Sequence, residues 1–376
     1  MSELDFPIPE YRDRIRRIQQ KMTDKRLDAL IVLGPENIHY LSGFDCAWTA
    51  PLGEFSGVII PAEGEPRLIV RSLESKTIKK HWLKLSRTYD DWKGPWPTVK
   101  DILIEIKATK GRIGIEENVA TVRKLKRLKE TLPGAEIVNA SGLTESLMAY
   151  PSKLEIEFTR KSGEIVQAGL DKALETIKEG TTYHEVITQT TEAMYAAGMT
   201  EQLLFGKYIL ACVWGGPDGG ELHETNVTRK IQSGDIVTTE LWGTYRHYVA
   251  GAMGTVYVGK NPPSKVTDTY QVLAEMYLKI RETMKSGVAV GEVWQAANEV
   301  YCAAYDVDYF RMLGLQQGVG FVGRLDRGGD VLSPGMAYLV QPEVTDPLFL
   351  CVCATLMVTE EGCEEITRPL LELLTL

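Results

Sequence analysis

A chain of 376 residues is long enough for two domains and a large core, and 44% apolar with 25% charged residues is the balance of an ordinary soluble globular protein. The net charge of −9 argues against nucleic acid or an anionic membrane as partner. The opening MSELDFPIPEYRDRIRRIQQ has no apolar stretch of signal-peptide type, and no apolar run reaches the length of a membrane span, so a cytoplasmic protein is expected. Residues Tyr11 to Lys25 then read as an amphipathic helix. Ala29-Leu-Ile-Val-Leu33 reads as a buried strand, and Pro35 to Gly43 as a loop with a short helix. Gly57-Val-Ile-Ile60 and Pro66-Arg-Leu-Ile-Val70 are neighbouring strands around an Ala-Glu-Gly-Glu turn. Gly111 to Glu116 is a further strand and Ala120 to Leu132 a helix. This alternation predicts a first α/β domain over residues 1–150.

Pro151-Ser-Lys opens a long helix from Leu154 to about Lys178, with Ser152 as N-cap and Glu155 as its capping-box partner. The rest of the chain, 151–376, contains a weak internal repeat. Lys178-Glu-Gly180, Glu185-Val186 and Glu192 recur at a constant offset as Lys285-Ser-Gly287, Glu292-Val293 and Glu299. Each copy reads as a helix end at Gly followed by an amphipathic helix, and two copies imply a pseudo-symmetric domain rather than a solenoid. Six cysteines (Cys46, Cys212, Cys302, Cys351, Cys353, Cys363) show no paired metal spacing and read as reduced thiols. Cys351-Val-Cys353 alternates like a strand with both thiols on one face.

The chemistry concentrates in the second half. Gln232-Ser-Gly-Asp235 is a turn, followed by a strand through Glu240 to Tyr248; Val249 to Gly259 is the returning strand. Tyr245 and Tyr248, three apart along that strand, are expected on opposite sides, so only one of them, Tyr248, is expected to line a pocket. Further on come Gly314-Leu-Gln-Gln-Gly-Val-Gly-Phe321, then Leu332-Ser-Pro-Gly-Met336 leading to Gln341-Pro342, and finally Val358-Thr-Glu-Glu-Gly362. In order and spacing these fragments resemble the creatinase/prolidase/aminopeptidase P family. The N-terminal half matches more loosely, through Asn37-Ile-His-Tyr-Leu-Ser-Gly-Phe44. The resemblance implies a two-domain α+β and α/β protein: an N-terminal creatinase-like α/β domain and a C-terminal pseudo-symmetric "pita-bread" domain.

That family holds two metal ions with two aspartates, a histidine and two glutamates. The matching positions here carry Glu240, Gly251, Gln317, Gln341 and Cys353. One carboxylate, a glycine, two amides and a thiol are not a donor set for two divalent cations, so no metal and no other cofactor is expected. Within the family, the chain resembles the metal-free branches, creatinase and ectoine hydrolase. His223, ten residues before Ser233, stands at the creatinase-type spacing of a catalytic histidine, and the strand at Glu240 looks like that of ectoine hydrolase. The resemblance implies a hydrolase that cleaves a C–N bond in a small polar substrate, with Glu240 as nucleophile or base and His223 as proton shuttle. Gln317 and Gln341 would orient the substrate, with Cys353 beside them. Arg324 and Arg327, flanking Asp326, would anchor a substrate carboxylate. Met253 and Gln341 replace two creatinase glutamates, which argues against creatine, and Gly254 replaces the family's arginine. A homodimer is expected by resemblance, with Trp48, Tyr40, Asp45 and Phe44 as candidates to reach over the pocket; for Tyr40 and Phe44 a core role is the commoner outcome. Two other classes remain open: a lyase, isomerase or cyclase on the same scaffold, and a non-catalytic binding protein. Glu240 also has a plain reading, a strand-end carboxylate satisfied by Arg246 or a backbone amide.

Overall fold

The computed structural model describes residues 4–46, 55–200, 203–204, 207–208, 211–222, 226–309, 311, 313–325 and 328–376; at 203–204, 207–208, 321, 324 and 325 it describes the backbone alone. Two compact units emerge. One comprises Met1–Met148 with Leu203–Lys207, the other Ala149–Gln202 with Tyr208–Leu376.

The first unit runs α1 (Ile8–Asp24), β1 (Ala29–Val32), α2 (Pro35–Ser42), β2 (Gly57–Pro61), β3 (Arg67–Arg71), α3 (Ser75–Lys80), β4 (Arg87–Tyr89), α4 (Trp96–Glu105), β5 (Arg112–Ile115), α5 (Val122–Thr131), β6 (Glu136–Asn139) and α6 (Glu145–Met148). Its six strands form one mixed sheet in the order β4-β3-β2-β1-β5-β6, with β1 antiparallel to β2 and parallel to β5. The central strands read as unbroken apolar runs because both faces are covered. Ile31, Ile59, Ile69 and Ile113 pack with Val99, Ile102 and Leu128 of α4 and α5. Tyr40 and Phe44 are core residues of this unit: the Arg14 guanidinium lies 4.1 Å over the Tyr40 ring, and Phe44 meets His81 edge-on. His39 Nε2 lies 3.1 Å from Asp5 Oδ2.

The second unit is built from two helix pairs and two larger sheets, antiparallel except where β19 runs parallel to β11. In chain order it holds α7 (Lys153–Thr176) and α8 (Tyr183–Ala196), then the short β7 (Leu203–Leu204, in the first unit) and β8 (Lys207–Tyr208). Next come β9 (Ala211–Gly216), β10 (Ile236–Tyr245), β11 (Tyr248–Tyr257), α9 (Ser264–Thr283) and α10 (Val290–Tyr305). The chain closes with β12 (Gly314–Gly318), β13 (Gly320–Leu325), β14 (Ala337–Val340), β15 (Glu343–Val344), β16 (Leu350–Cys351), β17 (Ala354–Val358), β18 (Cys363–Glu365) and β19 (Leu374–Thr375). One sheet has the order β19-β11-β10-β9, the other β13-β12-β14-β17-β18.

Ser152 caps α7 through a complete capping box: its backbone N–H donates to Glu155 Oε2 at 2.7 Å, and the Glu155 N–H donates back to Ser152 Oγ. The internal repeat is structural. Gly180 and Gly287 both take left-handed φ (88° and 85°), and their N–H groups donate to Ile231 O and Leu332 O. Gly234 and Gly335 (φ 94° and 90°) then open β10 and β14, donating to Val258 O and Val358 O. Each middle strand lies between two antiparallel neighbours, β10 between β9 and β11 and β14 between β12 and β17. The two sheets meet where Met253 and Cys353 form an isolated antiparallel bridge. Alternation puts one face of each sheet on its helix pair and turns the other toward the opposite sheet. Leu241, Ala250 and Ala252 pack on Ile165 and Val166 of α7, while Tyr338, Val340 and Leu356 pack on Tyr270, Leu273 and Tyr277 of α9. Among the described residues no helix is long and apolar enough to cross a membrane.

One expectation is corrected here. The strand through Glu240 stops at Tyr245, and Arg246-His247 form a two-residue hairpin turn with left-handed φ at both positions (49° and 67°). Tyr245 and Tyr248 are therefore cross-strand partners, not neighbours along one strand. Partners share a face, and both rings pack edge-on against Phe158, at 5.7 and 5.6 Å.

Candidate active site

Glu240 lies mid-strand on β10, on the face turned toward the other sheet, and is 5% exposed. A carboxylate this deep needs donors. Trp242 supplies one: two residues on, it shares the face, and its Nε1–H donates to Glu240 Oε1 at 2.7 Å. Cys212 on β9 pairs opposite Glu240. Burial first, and the Glu240 charge second, push its thiol up to about 11.

On the returning strand, Met253 is the cross-strand partner of Glu240 and Gly251 that of Trp242. A Cβ on Gly251 would come within 2.9 Å of Trp242 Cε3 and Cζ3 and 3.1 Å of Leu339 Cδ1. Real Cβ atoms do not sit that close. The indole therefore fills the space into which a side chain at 251 would project.

Gly251 is tied to the second sheet. Its N–H donates to Thr355 Oγ1 at 3.1 Å, its carbonyl accepts from the same hydroxyl at 2.8 Å, and Thr367 Oγ1 lies 3.2 Å from that carbonyl. Thr355 Oγ1 is also 3.1 Å from Gln317 Oε1. Gln317 sits at a register shift of the β12–β13 pairing, a device that re-aims a side chain. It is 5% exposed, and its Nε2 has no hydrogen-bond partner among the described residues. Cys353 is fully buried, and burial holds its thiol well above the usual range, so it is protonated and unreactive at neutral pH. Gln341, half-buried, follows the last residue of β14 on the alternation of Leu339, and its backbone N–H donates to Leu313 O. Glu240, Gly251, Gln317 and Thr355 thus belong to the paired inner faces of the two sheets, with Cys353 at the bridge between them.

Comparison with known proteins agrees with this geometry. Residues 14–147 match the Creatinase/Prolidase N-terminal domain and residues 157–362 match Metallopeptidase family M24. The chain belongs to metallopeptidase family M24. An Xaa-Pro dipeptidase of Pyrococcus furiosus is 26% identical, over 96% of this chain and 100% of that protein. The ectoine hydrolase of Halomonas elongata is 24% identical, over 96% of each chain. In fold, the prolidase of Thermococcus sibiricus superposes with a TM-score of 0.86 at 21% identity, over 97% of this chain and 99% of that one. The two-domain pita-bread architecture is thereby shown.

The positions that the resemblance matches to metal ligands offer little to a cation. At the five ligand positions, the single carboxylate gives one oxygen to an indole N–H, and position 251 has no room for an acid. One amide oxygen is bonded to Thr355, and the thiol is held protonated by burial. These residues do not fit two divalent cations, which need several anionic or imidazole donors. Among the described residues of the second unit alone, no three His, Cys, Asp or Glu side chains converge as a cation site.

Other expected M24 site residues fall differently. Tyr248 is fully buried at the hairpin turn, and its hydroxyl donates to Glu155 Oε1 at 2.8 Å. Five residues from Met253 along β11, it stands roughly 17 Å from the Glu240 register. Its hydroxyl steadies the cap of α7 instead of lining the pocket, because the turn at 246–247 carries it to the far end of the hairpin. Gly254 faces α7, where an added Cβ would meet Leu170 Cδ1 at 2.8 Å, and so looks away from Glu240. Arg246 lies with its guanidinium 5.7 Å from the Phe158 ring centroid. Arg324 falls on β13, with only its backbone described; His223, Arg327, Asp326 and Trp48 lie outside the described residues. The site residue missed from the sequence is Trp242. Its position two after Glu240 signals a shared face, but its contact with Gly251 requires the hairpin register.

Proposed function

We propose that this M24 chain is a hydrolase that cleaves a C–N bond in a small polar substrate without a metal ion. Glu240 acts as nucleophile or base, and His223 as the proton shuttle. One observation carries the reading: of the five ligand positions, only 240 retains an acid, and that acid is buried and oriented by an indole N–H. Membership of a peptidase family, with an ectoine hydrolase among the relatives, supports hydrolysis as the coarse activity.

The chemistry is economical. As a base, Glu240 takes a proton from water; the hydroxide adds to the electrophilic carbon, the C–N bond breaks, and His223 delivers a proton to the leaving nitrogen. As a nucleophile, Glu240 first forms an acyl intermediate that water then cleaves, so the net reaction is the same. Gln317, held at one end by Thr355, has its other amide end available to a polar substrate group; Gln341 serves the same purpose from the second sheet. Arg324 and Arg327 keep the carboxylate-anchoring role read from their charge; Trp48 at the pocket and the homodimer are what the resemblance implies, and sedimentation of the purified protein tests the latter.

The reading is tested by offering Xaa-Pro dipeptides, ectoine and other small cyclic amidines and guanidines in heavy-oxygen water, with and without a chelator. The expected result is label in the product, no effect of chelator, and a loss of at least about 10²-fold in Glu240→Gln and His223→Ala. Activity lost to chelator and restored by manganese overturns the metal-free mechanism. Unlabelled product replaces hydrolysis with a lyase or isomerase reaction.

A further inference from the structure

We propose that Trp242 is the positioning residue of Glu240 and, with Gly251, the steric lock that keeps a second acid out of the site. The proposal deepens the reading above and rests on it for the role of Glu240.

Three observations meet. First, Nε1–H of Trp242 reaches Glu240 Oε1 at 2.7 Å, the length of a charge-assisted hydrogen bond, and both side chains are more than nine-tenths buried. Second, Trp242 and Gly251 are directly opposed in the β10–β11 ladder, and the six-membered ring of the indole lies where a Cβ of residue 251 would be. Third, Gly251 is a strand residue whose φ lies outside the left-handed region, so space and not backbone conformation requires glycine there. Gly251 cannot retreat from the indole, because Thr355 holds both its N–H and its carbonyl.

The resemblance implies that in two-cation members of the family acids stand at both the 240 and the 251 positions. Here one side chain performs the orientation and excludes the acid. The two substitutions are interdependent: glycine at 251 makes room for the indole, and the indole forbids any larger residue at 251. Cross-strand partners on a face this tightly packed are expected to be coupled in this way.

The test reads stability and a spectroscopic signal, not turnover, so it can fail while the hydrolase reading stands, and the reverse. With nitrogen-labelled indoles, the Trp242 side-chain N–H resonance is identified by its absence in Trp242→Phe. It is expected to move when Glu240→Gln replaces the charged acceptor with a neutral one. A ring that merely fills space leaves that resonance in place, and such a result overturns the positioning role. In the stability arm, Gly251→Ala is expected to lower the melting midpoint by roughly 3–10 °C beside Trp242. Beside Trp242→Ala the same change is expected to cost much less. Equal losses in both backgrounds overturn the lock. The resonance arm needs only Trp242→Phe and Glu240→Gln, which conserve ring or volume, so it decides the positioning role where Gly251→Ala fails to fold; the lock then stands if Gly251→Ala folds beside Trp242→Ala and is overturned if it fails there too.

Discussion

The two halves of the second unit share a frame and differ in their chemistry. Each has a helix, a left-handed glycine in the turn that follows it, a second helix, a turn opened by Gly234 or Gly335, and a middle strand between two antiparallel neighbours. Counted from those turn glycines, Glu240 and Gln341 occupy the same place, six residues on in both cases (240 − 234 = 341 − 335). One half offers an acid there and the other an amide. The frame is maintained by backbone requirements that tolerate few residues: positive φ, caps and close helix–sheet approach. The residues at the inner faces are constrained by what they must bind, so they can change while the frame stays.

The largest expected effect comes from making the halves alike. Glu240→Gln places an amide in both equivalent positions and is expected to cut turnover by about 10²–10⁴-fold with little change in melting temperature. Gln341→Ala, which removes a neutral partner from the other half, is expected to cost about tenfold. Similar losses from both, measured by steady-state kinetics on the same substrate, would mean that the halves contribute equally to the reaction.

Next in size is a contrast between the turn glycines. A Cβ at Gly234 meets nothing within 4 Å, so Gly234→Ala carries only the left-handed backbone cost, about 1–2 kcal/mol. At Gly335 the same Cβ meets Ile156 Cδ1 at 2.6 Å and Pro151 Cγ at 3.1 Å. Gly335→Ala is expected to cost about 2–4 kcal/mol in denaturant unfolding. A third substitution isolates the first half: Tyr248→Phe takes a donor from Glu155, a buried carboxylate, and is expected to cost about 1–3 kcal/mol while leaving turnover within about twofold. A large loss of turnover would return Tyr248 to the active site.

Much of the frame can be read along the chain because its signals are local. Ser152 with Glu155 announces a helix start; Gly180 and Gly287, read as helix ends, instead mark the turns beyond helices that stop at Thr176 and Thr283. The apolar runs at Ala29 and Gly57 announce buried strands. The order β4-β3-β2-β1-β5-β6 is not readable this way, since pairing between distant strands leaves no local trace. The hairpin turn at Arg246-His247 was hidden for a different reason. Neither residue is the Gly or Asn that usually takes positive φ there, so along the chain the strand reads straight through it and carries Tyr248 toward the pocket. Glu240, Gln317, Gln341 and Cys353 could be picked out because each stands where a motif predicts another residue. Trp242 breaks no motif, and only the β10–β11 register reveals what it touches.

The smallest expected effect concerns the helix starts that follow the two repeat glycines. Thr182 caps α8 fully: Glu185 Oε2 accepts from the Thr182 N–H at 2.7 Å, and Thr182 Oγ1 accepts from the Glu185 N–H at 3.2 Å. At α10 the equivalent residue is Ala289, and only half of that arrangement exists, the Ala289 N–H donating to Glu292 Oε1 at 3.2 Å. The backbone of Ala289 (φ −73°, ψ 141°) already has the extended form of an N-cap, so a hydroxyl there can share the Glu292 N–H, which donates to Ala289 O at 2.9 Å. Ala289→Ser is therefore expected to stabilise the protein by about 0.5–1 kcal/mol, and Thr182→Ala to destabilise it by about 1 kcal/mol. Opposite shifts in melting midpoint would show that the two helix starts are the same device, complete in one half and partial in the other. A null or negative shift for Ala289→Ser would mean that α10 is held by its packing on β12 to β17 and that its cap is immaterial.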